Sequence, residues 1–250
     1  MGVSGGMRMK RLVCLLAVLA VLFGAAAVWA EEAISAPFQY EQDSLEKDGT
    51  PAADIVLNLA IFLVTPLLLF LFRQKVKKTQ PEKFRECFRY FTCLSNLLCS
   101  LSALAMAAAL LLGGAPEWVW LLKYAGTAAV TVTMLTVFLF LAPSVGKDWY
   151  GVLLKKPSDL FMHLLTPVAA LVSFCVFEKR GMAFGQCLWG LLPVALYGPM
   201  YLYRIRYAPE GKRWPDFYGF DKNGKWPVMF TAMMAGTFLI CLGLMALQNA

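Results

Sequence analysis

Seven apolar runs, at positions 12–30, 55–72, 90–112, 118–142, 160–177, 184–203 and 226–247, take up more than half of the 250 residues. Each is close to the roughly 20 residues a helix needs to cross the hydrocarbon of a bilayer. Connections between them are short, so no folded domain fits outside the membrane. Hydrophobic residues make up 59% of the chain and charged residues 16%, and mean hydropathy is +0.61. A soluble core of this size cannot hide that much apolar surface, so lipid must be the solvent for much of the chain. The same numbers exclude a disordered chain, a collagen and a disulfide scaffold. The expected fold is all-α: a polytopic transmembrane helical bundle with six core spans over residues 55–247, preceded by an N-terminal apolar run.

That first run has two readings. Arg8, Lys10 and Arg11 form a basic lead, and Val28-Trp29-Ala30 offers small residues where a signal peptidase cuts. Cleavage makes residues 1–30 a signal peptide; retention makes them a seventh span or signal anchor. Residues 31–54 follow as an acidic external segment in which Lys47 is the lone cation. The loop at 73–89 holds seven Lys and Arg, 144–159 holds Lys147, Lys155 and Lys156, and 204–225 holds six more. Basic loops stay cytoplasmic, which puts these three loops inside and the C-terminus outside, in the cell membrane. The net charge of +7 then reflects loops that meet anionic headgroups and not a nucleic-acid surface.

Seven cysteines are present, an odd count with no C-x-x-C. Cys87, Cys93 and Cys99 are six apart, about 240° per step on a continuous helix, so they do not share one ligand face. A structural role fits them, and no metal site is expected. Pro66, Pro167, Pro193 and Pro199 fall inside apolar runs and should kink them.

Polar groups inside a span turn towards protein or a cavity. Thr92, Ser95, Asn96, Cys99 and Ser102 lie at helical offsets of 0, 3, 4, 7 and 10 and form one inward stripe. It is either a packing seam of small hydrogen-bonding residues or the wall of a site. His163 is the single histidine, and Asp159, Thr166 and Pro167 share its face. Asp159 either fixes the imidazole tautomer or simply starts the helix after Pro157-Ser158. Thr92 and His163 both sit just inside the cytoplasmic end of their spans. A hydroxyl and an imidazole at equal depth are the minimum for nucleophilic acyl transfer. Trp214-Pro215-Asp216-Phe217-Tyr218, among the cations of the last inside loop, is either an interfacial belt or a headgroup clamp. Thr127, Thr131, Gln186 and Tyr197 read as packing.

Arg89-Tyr90-Phe91-Thr92 with Ser95-Asn96-Leu97-Leu98, the His163-Leu164-Leu165-Thr166-Pro167 context and Trp214–Tyr218 together resemble motifs of the androgen-induced integral-membrane family and its bacterial multi-pass relatives. The resemblance covers residues 55–247. Animal members are intramembrane threonine hydrolases of fatty acid esters of hydroxy fatty acids, and their Thr and His correspond to Thr92 and His163. It implies a lipid-ester hydrolase or acyl-transfer enzyme acting on membrane lipids or a lipid-like ester, without cofactor. Thr92 would be the nucleophile and His163 the base, with Asn96 or Ser95 as oxyanion donor and Asp159 orienting His163. A solute transporter or a structural or regulatory membrane protein is the alternative. Against a transporter stand the lack of a clear charged residue at mid-membrane and of inverted repeats.

Overall fold

Lipid offers no hydrogen-bond partners, so an apolar chain satisfies its backbone within helices. Every regular element among the described residues is helical. The computed structural model describes residues 50–250 apart from 78–79, 146–147, 149 and 152–154. The signal-or-anchor alternative for residues 1–30 and nearly all of the acidic segment lie outside these residues.

The helices are α1 (Thr50–Val76), α2 (Phe91–Leu111), α3 (Glu117–Leu141), α4 (Pro157–Phe177), α5 (Leu192–Leu202) and α6 (Trp226–Asn249). All except α5 are long and apolar enough to cross a membrane. The span expected at 184–203, fifth of the six in the core, therefore does not appear as one regular helix. It runs as a short turn at Phe184–Cys187, a 3₁₀ turn at Leu188–Leu191, α5, and a π turn at Tyr203–Tyr207. Two features mark the break. Pro193 has no N–H for the Trp189 carbonyl, and Gly190 is pressed against neighbours, where a Cβ would lie 2.6 Å from Cys241 Sγ.

α3 is the central element. Every residue from Lys123 to Thr133 is buried, as expected of a helix with neighbours all round. Small residues allow this: a Cβ on Gly126 would fall 2.5 Å from Ser102 Oγ and 3.0 Å from the Cys99 backbone on α2. Trp120 and Tyr124 of α3 pack their rings on Phe174 of α4, with centroids 5.1 and 5.5 Å away.

Each proline inside a helix removes a backbone donor, and at two of them the loss is accommodated. Pro66 leaves the Phe62 carbonyl without its helical donor, and Ser100 Oγ of α2 donates to that oxygen at 2.8 Å. Pro167 deletes the donor for the His163 carbonyl, and α4 widens to π pitch over Phe161–Leu165. The 73–89 and 204–225 loops meet where Arg89 and Arg204 both stack on Trp214, 5.8 and 5.3 Å from its centroid.

A double-mutant cycle tests the Pro66 repair. Ser100→Ala orphans a carbonyl and should cost about 1 kcal/mol. In a Pro66→Ala background, where residue 66 supplies the N–H, the same change should cost almost nothing. Equal costs in thermal unfolding of the two pairs would refute the repair.

Candidate functional site

The chain turns extended at Tyr90, with φ −92° and ψ 135°, and α2 begins at the next residue. Its first N–H groups have no partner within the helix. Tyr218 Oη accepts one of them, from Phe91 at 3.0 Å. Tyr197 donates its hydroxyl to the Arg89 carbonyl at 2.6 Å. The aromatic segment of the last loop thus caps the turn that carries Thr92. Asp216 shapes that segment, accepting from Tyr201 Oη at 3.1 Å and from the Phe220 and Asp221 N–H groups at 2.8 and 2.9 Å. Arg206 and Asp221 pair at 2.5 Å.

Within the stripe Ser95, Asn96, Cys99 and Ser102 are buried and Thr92 is half-buried. Asn96 Nδ2 donates to the Thr92 carbonyl at 2.8 Å and to the Met162 carbonyl at 3.1 Å. One amide therefore holds the Thr92 turn beside the residue that precedes His163. His163 is half-buried within the π turn. Asp159 is half-buried in the first turn of α4, and Ser158 donates to it at 3.4 Å. Both amide hydrogens of Asn96 are spent on carbonyls, and its Oδ1 is buried without a partner. Ser95 Oγ lies 3.1 Å from the Thr92 carbonyl and 2.8 Å from Thr133 Oγ1. Polar side chains this close to the backbone reach back to the preceding turn, so these two residues hold Thr92 in place.

The break at Tyr90 corrects the cysteine geometry. A continuous helix separates Cys87 from Cys93, but here their sulfurs lie 3.7 Å apart. The Cys93 thiol donates to Cys87, which holds the Cys87 thiol below the usual range, although partial burial opposes this. Cys99 is fully buried one helix turn or more away.

A second polar assembly lies at the opposite end, and the sequence reading missed it. Lys123, six residues from the start of α3, is fully buried despite its charge. Its Nζ donates to Asn58 Oδ1, to Ser173 Oγ at 2.9 Å and to Glu178 Oε1 at 3.0 Å. Asn58 Nδ2 lies 2.8 Å from both Asp54 Oδ1 and Glu178 Oε1. Ser173 donates to Glu178 Oε1 at 2.6 Å, and Trp120 Nε1 to the Glu178 carbonyl at 2.9 Å. Asp54, expected at the end of the external segment, is instead buried in the first turns of α1. The available signals were the cost of a lysine within an apolar run and the i, i+4 spacing of Asp54 and Asn58.

Maleimide labelling of Cys87, followed by peptide mapping, tests the thiol pair. Cys93→Ala removes the donor, so Cys87 should label several-fold more slowly at neutral pH, with its pH profile displaced upwards. An unchanged profile would show that the contact does not govern Cys87.

Compared with known proteins, the chain matches no family model, no curated protein and no solved structure.

Proposed function

We propose that the chain is an intramembrane lipid-ester hydrolase or acyl-transfer enzyme, with Thr92 as nucleophile and His163 as general base and acid. The observation that carries this reading is the Asn96 amide, which ties the Thr92 carbonyl to the Met162 carbonyl and so holds the α2 turn that carries Thr92 against the α4 turn that carries His163. His163 takes the Thr92 proton as Oγ1 attacks the ester carbonyl. It then returns the proton to the departing alcohol, leaving an acyl-threonine. A water deprotonated by His163 releases the acid and restores the hydroxyl. Asp159 orients His163. Acyl chains lie between the kinked helices, and Arg89 and Arg204, held on Trp214, meet headgroups at the entrance.

In this reading the chain crosses the cell membrane six times over residues 55–247, with the interrupted stretch around α5 as one crossing and the basic end cytoplasmic. Lys75→Cys and Lys212→Cys should then label with an impermeant reagent from the same side. Labelling from opposite sides would refute the topology.

The buried Lys123–Glu178 pair favours a second reading, a solute carrier, because ionisable groups inside a span mark pathways. Kinetics separates the two. Thr92→Ala and His163→Ala should abolish hydrolysis of a long-chain ester and covalent labelling by an electrophilic hydrolase probe. Thr92→Ser should keep measurable turnover. Interhelical hydrogen bonds in membranes average about 0.6 kcal/mol, so expression and thermal stability should hold in Thr92→Ala. Full activity in Thr92→Ala removes this residue from the mechanism, and joint loss of stability and activity marks a packing seam.

A further inference from the structure

The assembly around Lys123 is unbalanced in charge and in hydrogen bonds. Its members come from α1 (Asp54, Asn58), α3 (Lys123) and the end of α4 (Ser173, with Glu178 just beyond), and all five are at most 5% exposed. Lys123 Nζ faces three acceptors, Asn58 Oδ1, Ser173 Oγ and Glu178 Oε1. Only the charged ammonium has three hydrogens to satisfy them. One positive charge therefore stands against two carboxyl groups in a site closed to water.

The donors are shared unequally. Glu178 Oε1 receives Asn58, Lys123 and Ser173 at 2.8, 3.0 and 2.6 Å. Asp54 Oδ1 has Asn58 Nδ2 at 2.8 Å, while Ser173 Oγ at 3.3 Å stands closer to Glu178. Glu178 Oε2 is buried with no donor at all. The ion pair thus belongs to Lys123 and Glu178, and Asp54 is left as a buried carboxylate without a counter-charge. An uncompensated buried charge is costly enough that the group neutralises instead.

We propose that this assembly is a proton-binding site in which Asp54 and Glu178 share one proton, carried on Asp54. The two carboxyls flank the same Asn58 amide nitrogen and the same Ser173 hydroxyl, and a protonated Asp54 supplies a donor to a site where Glu178 Oε2 has none. A metal ion is the poorer occupant, because the Lys123 ammonium already touches the same carboxylate and repels it. The other titratable groups close enough to interact with the site are the thiols of Cys99 from α2 and Cys175 from α4, and Lys179 follows Glu178 and faces Cys175. Asp54 is one turn from the start of α1, next to exposed Ala52 and Ala53, so protons enter from the end opposite the basic loops. The site is separate from Thr92 and His163 and holds whichever reading of the function is correct.

The sign of the pH dependence follows. A proton bound more tightly folded than unfolded stabilises at low pH, and that stabilisation is lost as pH rises. Infrared difference spectra of the full chain in lipid nanodiscs, taken between acidic and alkaline pH, should show a protonated-carboxyl C=O band that shifts in deuterium oxide. Asp54→Asn should lack it, and its unfolding temperature should vary less with pH than that of the wild type. Should Asp54→Asn not fold, Asp54→Glu keeps the acid and must move the band. Absence of the band in the wild type overturns the proposal, as does a band unmoved in these variants. Loss of the band in sodium chloride but not in choline chloride also overturns it, since sodium then occupies the site.

Discussion

A backbone carbonyl or N–H in lipid has no water to fall back on, and each group left alone there costs several kcal/mol. Much of the arrangement of this chain follows from meeting that demand where the helices are imperfect. Where Pro66 opens α1, Ser100 closes the gap from α2. Where Pro167 opens α4, the helix widens through His163 instead. Where α2 starts without partners, Tyr218 arrives from a loop 127 residues away. Packing and hydrogen-bond repair are thus one process: α2 is held to α1 by the bond that fills the gap at Pro66, and to the last loop by the bond that caps its own start.

The same demand produces two polar centres of different character. At the basic end, neutral groups bridge neutral groups: Asn96 and Ser95 bind carbonyls, and the half-buried Thr92 and His163 lie within the first two turns of α2 and α4. At the opposite end the groups are charged and fully enclosed, and Lys123 is held only because three acceptors surround its ammonium. A charge at such depth survives through paired geometry, and removing one partner strands the other. The first centre suits access from an interface and the second suits storage of charge inside the bundle.

Much of this was legible in the chain itself. Apolar runs near 20 residues located five membrane-length helices, and offsets of 3 and 4 placed the Ser95, Asn96, Cys99 and Ser102 face inwards. Both are properties of a single helix, set by its 3.6-residue period and by burial. Loop charge predicted that the 73–89 and 204–225 loops belong together, and Arg89 and Arg204 meet over one indole.

Tertiary structure decided what depends on partners distant in sequence. Asn58 meets Ser173 and Glu178 across 115 and 120 residues, so no local pattern announces that Lys123 has a home. Cys87 and Cys93 meet because the chain turns at Tyr90, a departure that helical spacing does not foresee. The sixth run breaks at a 3₁₀ turn that holds Gly190, which is pressed against Cys241 and Tyr124. Composition and periodicity determined which segments enter the apolar phase. Only the packed bundle determined which polar groups meet there, because a buried charge or carbonyl is stabilised by its neighbours in space.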